Sequence, residues 1–157
     1  MAIGDVYSVD VDGVLHYFQH VANDRTQLNS DVIRVFKKFN FNTQPSMEEI
    51  AACKADFYAH VILPIGVKRG VWVKVGKAKV RMPVDPIFRQ SGNEGNYSRD
   101  ASKNWFIWSL NKPMQKVSKI SKELKKIDIG SVVRPNDVVE RIRSGEYDFV
   151  YPTIAEI

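Results

Sequence analysis

The feature of this sequence that most constrains its fold is an Asp-Gly pair between two runs of strand-forming residues. Residues 5–11 and 14–21 are rich in valine and aromatic side chains, and only Asp12 and Gly13 separate them. Asp-Gly favours the type I′ turn, which needs positive φ at both central positions and joins antiparallel strands. The sequence therefore predicts a β-hairpin over residues 4–21.

A two-residue turn also fixes which hairpin residues lie opposite each other. On one face it predicts three pairs: Val11 with Val14, Val9 with His16, and Tyr7 with Phe18. On the other face it predicts two pairs: Ser8 with Tyr17, and Asp10 with Leu15. Both faces carry large apolar side chains, so we expect other elements to cover the hairpin on each side, as in a curved sheet or a partial barrel.

Further short elements follow along the chain. Strand-like composition predicts strands within residues 31–39, 57–63, 71–75, 87–89, 105–110 and 147–151. Ser46 and Glu49 have capping-box spacing, which predicts a short helix to about Lys54. Pro135 and Gly145 have the residue types that begin and end a last helix. From residue 115 to residue 127 the apolar spacing is helical, although a strand could begin this segment.

Late helices among short strands, with no strand–helix alternation, indicate the α+β class. We expect a curved, mainly antiparallel sheet or partial barrel with two or three short helices. The length of 157 residues, without a Pro/Gly-rich linker, predicts a single domain over residues 1–157.

The charge is unevenly distributed. The net charge is +5, and no acidic residue lies between Asp56 and Asp85. Six basic residues fall in that interval: Lys68, Arg69, Lys74, Lys77, Lys79 and Arg81. A second basic run comprises Lys112, Lys116, Lys119, Lys122, Lys125 and Lys126. Such segments attract nucleic acid, a membrane surface or an acidic protein, although a solvated lysine-rich face is the simpler interpretation.

Several features indicate the cytoplasm. The single cysteine, Cys53, has no partner for an internal disulfide. No apolar run approaches the roughly 18 residues of a membrane span. The first residues enter strand-like sequence without the basic start and apolar core of a signal peptide. We therefore expect a cytoplasmic protein without a membrane segment.

The sequence offers no residue set for catalysis or metal binding. His16 and His20 lie four apart on a strand, which separates them by about 13 Å, too far to share one ion. His60 should face solvent or a second layer. Cys53 should be a small buried apolar residue. The segment 66–70 has one glycine too few for a phosphate loop and no Ser or Thr after its lysine, and a turn between two strands explains it as well. We expect no enzyme activity, no catalytic residue, no metal and no cofactor.

The opening segment resembles that of a known family. Gly4-Asp5-Val6-Tyr7-Ser8-Val9, the turn glycine Gly13 and the aromatic Tyr17-Phe18 are similar to the start of the twenty-sixth family of bacterial polymorphic-toxin immunity proteins. The resemblance implies a cytoplasmic, non-enzymatic protein that binds one cognate toxin domain and blocks it. Since this chain is basic, charge complementarity then implies a toxin with an acidic surface or a toxin that is not a nuclease.

Two segments are the expected docking surface for such a partner. The polar loop 90–104 and its base offer an aromatic anchor, arginines and adaptable amides: Arg89, Asn93, Tyr97, Arg99 and Lys103. The basic segment 68–81 would steer an acidic partner through Lys68, Arg69, Lys74, Lys77 and Lys79. A mobile loop beside solvated lysines is the alternative.

A small nucleic-acid-binding barrel is the second functional hypothesis. Trp72 lies among Lys68, Arg69 and Lys74, where a ring beside cations could stack on bases of a single strand. Tryptophan in so apolar a run more often builds a core.

Overall fold

The computed structural model describes residues 1–92, 101–102, 104–119 and 121–154, and every structural statement below refers to these ranges. The first sheet has the order β4-β3-β2-β1-β5, and all its pairs are antiparallel. Its strands are β1 (Asp5–Val11), β2 (Val14–Asp24), β3 (Ser30–Phe36), β4 (Ala55–Val61) and β5 (Trp72–Lys77).

A second sheet has the order β10-β6-β8-β9. It comprises β6 (Ile87–Ser91), β8 (Trp105–Ser109), β9 (Gln115–Lys116) and β10 (Asp128–Ile129). β7 (Ala101–Ser102) pairs in parallel with β11 (Thr153–Ile154). The helices are α1 (Met47–Ala51), α2 (Leu63–Lys68) and α3 (Pro135–Ser144), with a 3-10 helix at Lys122–Lys126. The predicted α+β class with mainly antiparallel sheets is confirmed.

The hairpin forms with the predicted register, and all five expected pairs are present. Asp12 and Gly13 have φ angles of 54° and 85°, as a type I′ turn requires. The Asp10 carboxylate accepts a hydrogen bond of 2.8 Å from Gly13 N, which braces the turn. Arg143 of α3 binds both oxygens of Asp12, at 2.8 and 3.2 Å, and so ties the last helix to the hairpin tip.

Both faces of the first sheet are covered, as the hairpin predicted. On one face Tyr7, Phe18, Val35 and Phe57 lie in one row across four strands, and Val138 of α3 belongs to the same core. On the other face two clusters form, one against α1 and one against the second sheet. The α1 cluster contains Val6, Phe36 and Ile50, and the second-sheet cluster contains Val21, Val32, Phe88 and Trp108.

The capping box and the last helix are also confirmed. Glu49 N donates to the Ser46 hydroxyl at 3.1 Å, and Ser46 N donates to the Glu49 carboxylate at 3.2 Å. α1 nevertheless ends at Ala51 rather than near Lys54. Gly145 follows α3 with φ 84°, the left-handed conformation that stops a helix.

The helical spacing from residue 115 to residue 127 predicted the wrong structure. Gln115–Lys116 forms strand β9, as the alternative allowed, and only the short 3-10 helix follows. Val117 N donates to Trp105 O at 2.9 Å, so the backbone here extends the edge of the second sheet. Because this backbone N–H already donates to a neighbouring strand, it cannot also donate to a carbonyl within a helix.

The predicted terminal strand 147–151 is also wrong. Tyr147, Phe149 and Tyr151 do alternate, but their rings pack on one another, with centroids 4.9 and 6.3 Å apart. Among the described residues this segment has no strand partner, and β11 begins only at Thr153. The alternation of aromatic side chains in this segment therefore reflects the packing of the rings on one another, and not the hydrogen bonding of a β-strand.

The end of the predicted strand 57–63 differs in the structure, because a helix begins at Leu63. β4 ends at Val61, and Pro64 lies in the first turn of α2, where its missing N–H leaves no helical hydrogen bond unmade. Gly66, expected in a turn, is therefore helical. A Cβ there would lie 2.0 Å from the Trp72 ring, so the glycine lets α2 pack directly on that ring.

A buried hydrogen bond between a histidine and an aspartate lies where the two sheets meet. His60 faces the second layer and is fully buried, with its ring centroid 4.2 Å from that of Phe88. Its Nε2 lies 2.8 Å from the Asp24 carboxylate, which also accepts hydrogen bonds from Thr26 N and Gln27 N. Burial lowers the pKa of His60 below its ordinary value despite the attraction of Asp24. A neutral ring that donates from Nε2 fits this setting.

We expect this histidine to make the protein less stable as the pH falls from 7.5 to 5.5. The unfolded histidine takes up a proton near pH 6.5, whereas the folded one resists it, so unfolding is favoured by up to about 1.4 kcal/mol over this range. His60→Gln keeps a donor for Asp24 and removes the titration. Urea unfolding at both pH values should show a smaller loss in the variant; equal losses would contradict a neutral buried His60.

Candidate functional site

The predicted basic segment forms one exposed surface, which we call the basic edge: Lys68, Arg69, Lys74, Lys77 and Lys79. Lys68 is the last residue of α2 and Arg69 is its C-cap. Lys74 and Lys77 belong to β5, and Lys79 follows it. All five side chains are exposed. The short connection through Gly70, with φ 69°, brings the helix end and the strand together.

β5 is an edge strand whose outer side is unpaired. It pairs with β1, and within the described ranges its other side has no strand partner. Val73 and Val75 are 59% and 40% exposed, so the strand presents apolar side chains as well as lysines. Exposed strand edges of this kind are ready to pair with another chain.

The opposite edge of the same sheet is covered by this chain itself. Tyr58 N of β4 donates to the Asp128 carboxylate at 3.0 Å. Val133 N donates to His60 O at 2.9 Å, and Val132 bridges to His60 in parallel. One edge of the first sheet is thus closed by intramolecular contacts, and no strand in the described ranges pairs with the other.

Within the basic edge, Lys74 has a structural role that the other four lack. Its Nζ lies 3.2 Å from the carboxylate of Asp5, which is buried. Burial alone would raise the pKa of Asp5, but hydrogen bonds from Ala2 N and Lys74 lower it below the ordinary value. Among the described residues, no carboxylate pairs with the other four cations of the basic edge.

The tryptophans do not supply a stacking surface. Trp72 is buried, its Nε1 donates to Leu63 O at 3.1 Å, and its ring packs edge-on against Phe18 with centroids 5.1 Å apart. Trp105 and Trp108 are buried as well. The interpretation of these rings as core is confirmed.

The predicted loop residues are only partly placed. Asn93, Tyr97, Arg99 and Lys103 lie outside the described residues. Arg89 is half-buried on β6, in the second sheet rather than beside the basic edge. The structure therefore does not group Arg89 with the cations of β5.

Arg89 instead lines a concave surface that the sequence did not reveal. We call it the arginine groove; it has a volume of about 520 Å³. Strand β6, helix α3 and the C-terminal segment build it, together with residues of the 3-10 helix and β10. Its lining comprises Arg89, Lys125, Ile129, Arg141, Gly145, Glu146, Tyr147, Phe149, Tyr151, Pro152, Thr153 and Ile154.

The nucleophilic and metal-ligating candidates are accounted for by structure. Burial and the Glu49 carboxylate raise the pKa of the Cys53 thiol, which lies 3.4 Å from Glu49 O as a hydrogen-bond donor. This thiol is half-buried and packs against the α1 cluster. His16 is half-exposed on β2, as expected. Across the described ranges, no three His, Cys, Asp or Glu side chains come together as a metal site.

Comparison of this chain with protein-family models, with curated proteins and with solved structures found no match. In the part of the chain that the structure describes, no helix is both long and apolar enough to cross a membrane. The basic edge and the arginine groove are therefore the two surfaces to which a function can be assigned.

The ion pair at β5 leads to a stability prediction. Lys74→Ala leaves the buried Asp5 carboxylate without its cation and should lower the free energy of unfolding by about 1 kcal/mol, a modest value because the lysine end is half in solvent. Lys79→Ala removes the same charge from an unpaired position and should have less than about 0.5 kcal/mol effect. Chemical denaturation of both variants measures the difference; equal effects would contradict a structural role for Lys74.

Proposed function

We propose that this protein is an immunity protein that binds a cognate bacterial toxin domain and blocks it, with the basic edge as its docking surface. The observation that carries the proposal is the edge of β5, which has no strand partner among the described residues and lies among exposed cations. The resemblance of the hairpin to an immunity family supports the same function. The proposal is of a binding protein without enzyme activity.

The side chains of β5 favour pairing of this strand with a different protein rather than with a second copy of this chain. Two β5 strands paired side by side would place the lysines of both copies, Lys74 and Lys77, close together, and like charges oppose such pairing. A partner segment with acidic side chains would instead meet cations flanking Val73 and Val75. Main-chain hydrogen bonds would supply affinity, and the valines and lysines would supply selectivity.

The net charge of the surface sets how a toxin would be recognised. The basic edge has no neighbouring acidic residue in sequence from residue 57 to residue 84. Fields of one sign accelerate encounter with an oppositely charged surface and repel the wrong partners. We therefore infer a toxin domain with an acidic face at the contact. The loop residues Asn93, Tyr97, Arg99 and Lys103 stay predicted contributors.

Nucleic-acid binding has less support. Single-strand binders combine cations with exposed rings on which bases stack. The rings of Trp72, Trp105 and Trp108 are in the core, so the basic edge offers cations without these three stacking surfaces. Binding through phosphates alone would be weak and would fall steeply with salt.

The proposal predicts a toxin-domain gene immediately upstream of this one, and the product of that gene is the partner for the test. Co-expression should protect cells from that toxin, and the purified proteins should bind. Reversing three unpaired cations, Lys68→Glu, Arg69→Glu and Lys79→Glu, should slow association at low salt by about tenfold or more, because steering is lost. Stopped-flow or surface-plasmon measurements give the rate. Lys74 is left unchanged because it holds Asp5.

A matched control variant carries the same change of charge elsewhere. Lys116→Glu, Lys119→Glu and Lys122→Glu lie in the second basic run, and all three side chains are exposed. This control should slow association far less. Equal slowing by both triple variants would remove the basic edge as the docking surface. Absence of protection and of binding, together with salt-dependent binding to RNA or DNA, would overturn the immunity function.

A further inference from the structure

The arginine groove holds two guanidinium groups that aromatic rings fix in place. Arg89 lies over the rings of Trp105 and Tyr151, 5.0 and 6.0 Å from their centroids. Arg141 lies over Phe57 and Tyr147, at 4.7 and 5.2 Å. A guanidinium between rings loses little further freedom when it binds a ligand, and its fork matches oxyanions in geometry.

Among the described residues, these guanidinium groups have few acceptors. Arg89 Nε donates to Ile127 O at 2.9 Å, whereas its Nη1 is buried and has no acceptor among the described residues. Arg141 Nη2 lies 3.8 Å from the Asp128 carboxylate, which is long for a hydrogen bond. The other oxygen of Asp128 accepts from Tyr58 N. A buried N–H donor without an acceptor destabilises the protein. A ligand that brings an acceptor oxygen into the groove should therefore bind favourably.

The two guanidinium groups of the groove also act on each other. Arg89 and Arg141 both line it, with Glu146 on the lining and Asp128 behind it. Burial lowers the pKa of Arg89, interactions with Tyr151 and Asp128 raise it, and the positive charge of Arg141 lowers it, so the two guanidinium groups repel each other. An anion placed between two such groups relieves that repulsion.

We propose that the arginine groove binds an oxyanion, a carboxylate or a phosphate, carried on a flat apolar body. The anion would lie against the Arg89 and Arg141 guanidinium groups, with charge-assisted hydrogen bonds. The apolar body would lie along the half-buried rings and aliphatic side chains of the lining, such as Tyr147, Phe149 and Ile129. The site is independent of the proposed toxin binding, since it lies on other elements.

Nuclear magnetic resonance titration of the full chain tests this site with four probes. Phenyl phosphate and benzoate carry the two oxyanions on a ring, benzamide is the neutral isostere, and inorganic phosphate lacks the ring. At least one ring oxyanion should bind saturably below about 10 mM, at least about tenfold more tightly than benzamide and more tightly than inorganic phosphate. The backbone amides of Ile129, Gly145 and Thr153 should shift. The tighter of the two ring oxyanions identifies phosphate or carboxylate.

Variants of α3 separate the site from general charge attraction. Arg141→Gln should weaken ring-oxyanion binding about tenfold or more, and Arg141→Lys should weaken it less. Arg143→Gln removes the same charge two residues away, where the side chain binds Asp12 and Glu140, and should leave the affinity unchanged. Equal affinities in the Arg141 and Arg143 variants, or no saturable binding in the unaltered chain, would overturn the proposal. If Arg141→Gln does not fold, shifts confined to amides outside the groove in the unaltered chain would overturn it.

Discussion

The positive φ angles at Asp12 and Gly13 are the constraint on which the rest of the structure depends. They fix the register of β1 against β2, and each of these strands has a second neighbour, β5 and β3. A slip of one residue would exchange the side chains between the two faces. Tyr7 and Phe18 would then leave the row that α3 covers, and Val6 would leave the cluster under α1. The contact of Arg143 with Asp12 connects this turn to the last helix as well.

The two edges of the first sheet differ because the later part of the chain covers only one of them. The segments that follow the second sheet return to β4, where Asp128 and Val133 satisfy backbone groups of its outer side. No described strand pairs with the outer side of β5. This asymmetry leaves a basic strand edge exposed at one side of the sheet, and it is the physical basis of the proposed docking surface.

The parts of the structure that local rules determine could be predicted from the sequence. The Asp-Gly turn, the Ser46–Glu49 capping box and the Pro135 and Gly145 helix limits all depend on residues close together in the chain. The exposure of the basic edge could also be expected, because a run of cations without carboxylates is seldom buried. The pairing of Lys74 with Asp5 could not, since it requires the antiparallel register of β5 on β1.

The arginine groove could not be predicted because its residues are distant in sequence. Arg89, Arg141 and Tyr147 meet only through the packing of β6, α3 and the C-terminal segment. The alternation at residues 147–151 was the available local pattern, and it favoured a strand although the rings pack on each other. Likewise, the spacing from residue 115 to residue 127 favoured a helix, whereas pairing to Trp105 O decided the backbone.

Hydrogen–deuterium exchange of this protein, free and bound to the proposed toxin partner, is the most direct test of docking at the basic edge. The amides of β5, residues 72–77, lie at the exposed edge in the free protein. Complex formation should slow exchange there, while β4, whose outer side is already covered, should change little. Unchanged exchange in β5, with protection appearing only on other elements, would contradict docking at the basic edge.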